Sequence, residues 1–159
     1  MLKIIGIDPG LAETGIGIIR GRGLKVHDYS FGSIKTSSRS PISDRLDKIF
    51  SEIHVILKDE KPDLMVVEDV FFLKENPKSG ITLGKVIGVI LLAGCRAEVP
   101  AIEVPVREAK QVLTGNGNAS KIQLETTVRH ILNIGTPIRP YHASDAIALA
   151  LIGLFRHGR

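Results

Sequence analysis

The chain has 159 residues, with 21 Lys and Arg against 17 Asp and Glu and a net charge of +4. That length suits one compact domain that can bury its own core, and a lone cysteine, Cys95, excludes an internal disulfide. The longest apolar run, Val86 to Ala93, is interrupted by Gly88 and is too short to span a bilayer. With no signal peptide in evidence, the expectation is a cytoplasmic protein, and the mild basicity permits a polyanionic partner without requiring one.

Leu2 to Asp8 is almost wholly aliphatic, as expected of a central strand buried on both faces, and Pro9-Gly10 breaks it. Thr14 to Arg20 and Leu24 to Thr36 read as two further strands joined by a Gly-Arg-Gly turn, so the chain opens as an antiparallel meander. After a polar loop, Asp44 to Asp59 carries Leu46, Ile49, Phe50, Ile53, Ile56 and Leu57 at helical spacing, and Pro62-Asp63 closes it. Leu64 to Glu68 is a second aliphatic strand. Ser79 to Ala97 is a helix of small residues, in which Gly80, Gly84 and Gly88 recur every fourth position and imply close backbone packing against the sheet or a second subunit. Cys95 within it reads as core. A short strand (Ala101 to Val104) and a short helix (Val106 to Leu113) lead to Gly115-Asn116-Gly117-Asn118. A helix from Ser120 to Leu132 then opens on a capping box of Ser120 and Gln123. A last helix, Ala143 to Phe155, follows Pro140. A strand meander followed by alternating units predicts a mixed sheet covered by helices, in one domain over 1–159.

Two acids stand at the ends of buried aliphatic strands, Asp8 and Glu68. Burying an unpaired carboxylate costs several kcal/mol, so two such placements ask for a common explanation. A third element supplies His142 and Asp145, three apart on one helical face whose continuation, Leu149 and Ile152, is apolar. Singly, each is read as well as a cap or a first-turn residue favoured by the helix dipole. Together, three carboxylates and an imidazole form a donor set for hard divalent cations such as Mg²⁺. Two such ions, roughly 4 Å apart, can clamp the attacking and leaving oxygens of a phosphodiester.

The stretches GIDPGLAETGIGII, VVEDVFF, GKVIGVILLA, TGNGNASKIQ and HASDAIALAL, in that order, resemble bacterial RuvC-type Holliday-junction resolvases over essentially the whole chain. The resemblance implies an α/β, RNase H-like fold with a mixed five-stranded sheet. It also implies a homodimer that nicks two strands of a four-way DNA junction symmetrically in recombination and repair, leaving 5′-phosphate and 3′-hydroxyl ends. Asp8, Glu68, His142 and Asp145 match the family's catalytic, metal-binding set, with Mg²⁺ or Mn²⁺ as cofactor and two ions per site. His142 departs from the aspartate of many members, removing one negative charge and adding a nitrogen ligand. Asp69 is another departure, and strand alternation turns it away from Glu68. A branch-migration helicase of the RuvA–RuvB type is the implied partner.

For DNA, Lys110 and Lys121 match family lysines. Lys121 also stands in a helix's first turn, where a cation is disfavoured unless a phosphate docks there. Phe71, or its neighbour Phe72, is placed to stack on an opened base, and Lys74, Lys78 and Lys85 add candidate phosphate contacts. Each lysine is equally read as a solvated surface residue. Three other functions stay open: an RNase H-like nuclease for another nucleic acid, an ATPase of the actin and sugar-kinase class, and a non-catalytic DNA-binding module. For the ATPase the chain is short, and for the binding module the acidic set is intact.

Overall fold

In the computed structural model, residues 1–70 and 76–158 are described. The aliphatic opening forms β1 (Leu2–Asp8), which pairs antiparallel with β2 (Glu13–Arg22); β2 in turn pairs antiparallel with β3 (Lys25–Lys35). Helix α1 (Ile42–Glu60) follows, burying Ile49, Ile53 and Leu57 at spacings of four. It stops at Lys61, in the left-handed conformation, whose N–H caps the Leu57 carbonyl just before Pro62. Strand β4 (Leu64–Asp69) lies parallel to β1, then come α2 (Pro77–Arg96), β5 (Ala101–Pro105), α3 (Val106–Thr114), α4 (Lys121–Leu132) and α5 (Tyr141–His157). The sheet order is β3-β2-β1-β4-β5, the mixed five-stranded RNase H-like arrangement that the resemblance implied.

Strand alternation divides the interior into two layers. Ile5, Ile7, Ile16, Met65 and Val67 face α1 and α2, whereas Ile4, Ile19 and Val66 face α5 with α3 and α4 behind it. Every residue of α5 from Ala143 to Leu154 is buried. Full burial of each large aliphatic there is worth about 1.5–3 kcal/mol. The helix lies close to the sheet because β1 and β2 present glycines to it. A Cβ at Gly6 would sit 1.9 Å from the Ala146 carbonyl oxygen, and one at Gly15 would sit 1.9 Å from that of His142. Contact between backbones thus sets where the N-terminus of α5 meets the end of β1.

Two expectations are corrected. Cys95 is exposed, because α2 buries the face carrying Val86, Ile87, Ile90 and Ala93 and turns Cys95 outward. Among the described residues, a methyl group added at Gly84 or Gly88 would meet nothing within 4 Å, so these glycines do not pack on this chain's own sheet. With 20 residues, α2 is long and apolar enough by length and composition to cross a membrane; here one face seats it in the core beside α1, and Ile81 and Leu92 remain exposed.

Candidate active site

The β1–β4 register pairs Ile4 with Leu64 and Ile7 with Val67, so its next step sets Asp8 beside Glu68. Parity then directs both side chains to the α5 face, together with Ile4, Gly6 and Val66. Asp69, the next residue, falls to the other face by the same alternation. The N-terminal end of α5 brings His142 and Asp145 to the same end of the sheet. Asp8 is 4% exposed and Asp145 8%, and Asp8 Oδ2 lies 2.6 Å from His142 Nδ1.

This crowding changes how the groups ionise. Burial, then a hydrogen bond and repulsion from Asp8, push the Glu68 carboxyl from 4.5 to about 9. Burial, then the charge of Asp8, push Asp145 from 3.8 to about 6. His142 is raised above its ordinary 6.5, chiefly by its hydrogen bond to Asp8. At neutral pH the cluster therefore keeps protons that solvated carboxylates would lose. The nearby cations oppose this: Lys121 lowers Glu68, and Lys121 and Lys110 both lower Asp145.

Among the described residues, no three His, Cys, Asp or Glu side chains stand arranged as a closed metal cage. The donors nevertheless suit a hard divalent cation, with carboxylate oxygens in the majority and one imidazole. Asp8 is shared between His142 and Glu68, so the protonated cluster is closed upon itself. A cation held by these residues would supply the positive charge that the Glu68 proton and His142 now provide.

Of the residues singled out in the sequence, Asp8, Glu68, His142 and Asp145 come together, and Lys110 and Lys121 lie within electrostatic reach of them. Lys121 keeps its place in the first turn of α4, behind the expected capping box of Ser120 and Gln123. Lys78 and Lys85 stand exposed on α2. Phe71, Phe72 and Lys74 lie outside the described residues.

Glu13 and Glu125 escaped the sequence reading. Glu13, at the start of β2, raises His142 through its charge, and its Oε1 accepts from the Ser33 hydroxyl at 2.6 Å. Glu125, 2% exposed, accepts from the Ile138 N–H at 2.8 Å. Arg129 Nε also lies 2.8 Å from Glu125 Oε1, an ion pair not aligned as a hydrogen bond, and Arg139 Nη1 lies 3.8 Å away. Arg139 in turn covers the Tyr141 ring at 4.2 Å. This network ties α4 to the segment that enters α5. Its only sequence signal was an acid beside the apolar stripe of α4, four residues before an arginine.

Comparison with known proteins adds to this geometry. Residues 4–153 match the family model described as crossover junction endodeoxyribonuclease RuvC. A protein of that name from Carboxydothermus hydrogenoformans is 39% identical over 99% of this chain and 98% of its own. One from Thermotoga maritima is 37% identical over 94% of this chain and 88% of its own. Among solved structures, Thermus thermophilus RuvC in complex with Holliday junction substrate superposes with a TM-score of 0.90 at 32% identity, covering 98% of this chain and 94% of that one. The yeast mitochondrial Holliday junction resolvase, at 12% identity and a TM-score of 0.63 over 93% of this chain and 75% of its own, shares the fold.

Proposed function

The chain belongs to the RuvC family of crossover junction endodeoxyribonucleases, and from that premise we propose that it resolves four-way DNA junctions through Asp8, Glu68, His142 and Asp145. The observation that carries this reading is the meeting of three carboxyl groups and an imidazole at one end of the sheet, with Lys110 and Lys121 beside them.

The reaction is metal-dependent hydrolysis of a phosphodiester. Asp8, which lies beside both His142 and Glu68, would be the central metal ligand, with Glu68 and Asp145 as its partners. Two Mg²⁺ or Mn²⁺ ions, when bound, supply charge neutralisation at phosphorus and a water acidic enough to attack near neutral pH. His142 offers nitrogen in place of a carboxylate oxygen, which moves the preference toward Mn²⁺. Lys121 and Lys110 receive the phosphate backbone, and the free N–H groups at the start of α4 add to that attraction. Attack by water breaks the bond from phosphorus to O3′. The phosphate stays on the 5′ end, and the proton finishes on the 3′ oxygen.

Paired nicks need two sites, hence a homodimer. The open faces of Gly84 and Gly88 on α2, beside exposed Ile81 and Leu92, support that helix as part of the contact. Phe71 is the proposed stacking residue, with Lys74, Lys78 and Lys85 on the DNA backbone. The setting is cytoplasmic, with a RuvA–RuvB type helicase as the source of migrating junctions.

The test is an end-labelled, mobile four-way junction incubated with Mg²⁺ or Mn²⁺. Symmetric paired nicks, with linear duplex left whole, are expected. A junction uncut with either ion across several core sequences would end this reading.

A further inference from the structure

The turn that follows Asp8 is held from outside the metal-binding set. Three successive carbonyls in it are engaged. Thr14 donates its hydroxyl to the Gly10 oxygen at 2.7 Å. The Thr36 hydroxyl donates to the Leu11 oxygen, and the Thr36 N–H donates to the Ala12 oxygen at 3.0 Å. A hydroxyl has one proton to give, so with that proton on Leu11 it is free to accept, and Arg45 Nε donates to it at 2.8 Å. Thr36 lies just beyond β3, and Arg45 lies in the first turn of α1; both are half-buried.

The turn has little room to move. A Cβ at Gly10 would lie 2.3 Å from the Glu13 carbonyl oxygen and 3.8 Å from Cε1 of His142. The backbone at Gly10 therefore forms a wall close to the imidazole of His142. Any slack in that turn reaches Asp8 through the chain and loosens the backbone that faces His142. Asp8 and His142 come from opposite ends of the sequence, and their 2.6 Å approach depends on both walls staying in place. On the α5 side the wall is the backbone seated on Gly15. On the other side it is this hydrogen-bonded turn.

We infer that Thr36, oriented by Arg45, is a positioning residue for the Asp8–His142 pair. It touches neither the reacting atoms nor a cation, and it acts by fixing the carbonyls of Leu11 and Ala12 in the turn that follows Asp8. The inference rests on the assignment of Asp8 as a metal ligand made above. Partners that orient ligands in this way typically alter metal affinity or activity by about 10- to 100-fold when removed.

The test uses the full chain and two readouts: turnover on a four-way junction, and Mn²⁺ affinity measured by calorimetry without DNA. Thr36→Val keeps shape and strand preference but removes the hydroxyl, and Thr36→Ser restores it. The expected result for Thr36→Val is a loss of about 10-fold in both turnover and Mn²⁺ affinity, with junction binding in EDTA unchanged. Thr36→Ser should recover both. Wild-type values for Thr36→Val, or an equal loss in Thr36→Ser, would overturn the inference. If Thr36→Val fails to fold, Arg45→Met leaves every backbone hydrogen bond in place. It should weaken Mn²⁺ in the same direction, and unchanged affinity there is equally decisive against the brace. A wild type that binds Mn²⁺ yet cuts no junction would remove the functional reading, while the calorimetry would still judge Thr36.

Discussion

Without metal, Glu68→Gln should stabilise the protein, and by an amount that grows with pH. The Glu68 carboxyl is raised from 4.5 to about 9 by burial and by Asp8, so the folded state keeps a proton that the unfolded chain has lost throughout that interval. Below pH 4.5 both states are protonated and there is no penalty. Above it, each pH unit costs the folded state about 1.4 kcal/mol until the folded value is reached. At pH 7 the penalty is about 3 kcal/mol, a substantial fraction of the 5–15 kcal/mol typical of a domain. Glutamine is neutral and can still donate to Asp8, which makes it a permanent copy of the protonated acid. Asp145, raised to about 6, adds destabilisation of the same sign between 3.8 and 6. His142, also raised, contributes stability that is full below 6.5 and is lost as pH climbs through its folded value. Wild type and variant share both groups, so their difference reports Glu68 together with its coupling to Asp8 and Asp145. Urea unfolding in EDTA at pH 5, 7 and 9 should give a gap below about 1 kcal/mol at the first pH, about 3 at the second, and a larger gap at the third. Saturating Mn²⁺ should close the gap by stabilising wild type alone. Parallel pH curves for the two proteins would refute the reasoning, because the crowding of carboxylates would then carry no energetic cost.

Other expectations follow from the same geometry. Asp8→Asn should bind four-way junctions like wild type in a metal-free gel-shift assay but lose at least about 10²-fold in cleavage; retained cutting would remove Asp8 from the site. Lys121→Ala should reduce the slope of log K against log salt by about 1 if this lysine meets a phosphate, and fluorescence anisotropy over a salt series reads that directly. Glu125→Ala leaves the Ile138 N–H and the guanidinium of Arg129 facing an empty position. It should cost about 3–5 kcal/mol in chemical denaturation, and a change under about 1 kcal/mol would mean that the network is dispensable.

The elements themselves were legible because each announces itself locally. Leu2–Asp8 is aliphatic on both faces, α1 repeats its buried residues every four positions, and α4 carries its capping box in plain view. Ends moved by one or two residues: α5 begins at Tyr141, which brings His142 inside the helix. The three carboxylates and the imidazole were visible as acids where acids are costly. Their contacts were not, since the Asp8–His142 bond joins residues 134 positions apart, and nothing in either neighbourhood encodes the other. Glu125 and Thr36 were missed for a related reason. A buried acid paired with an arginine four residues on looks like a surface pair, and a threonine at a strand end looks like a turn residue. Cys95 was misread because an apolar helix with small residues gives weak information about which of its faces is covered.

The seating of α5 on Gly6 and Gly15 bears on how this protein can change over generations. Side-chain cores drift, because a lost methylene at one position can be made good at another. A backbone-on-backbone contact has no such currency, since the smallest change at either glycine adds an atom where a carbonyl already stands. The seating of α5 on β1 and β2 is therefore fixed by backbone, apart from the layer of Ile5, Ile7, Ile49, Ile53 and Met65, which packs on the opposite side of the sheet. The position of α5 on the sheet stays tied to two residues that have no room for a side chain.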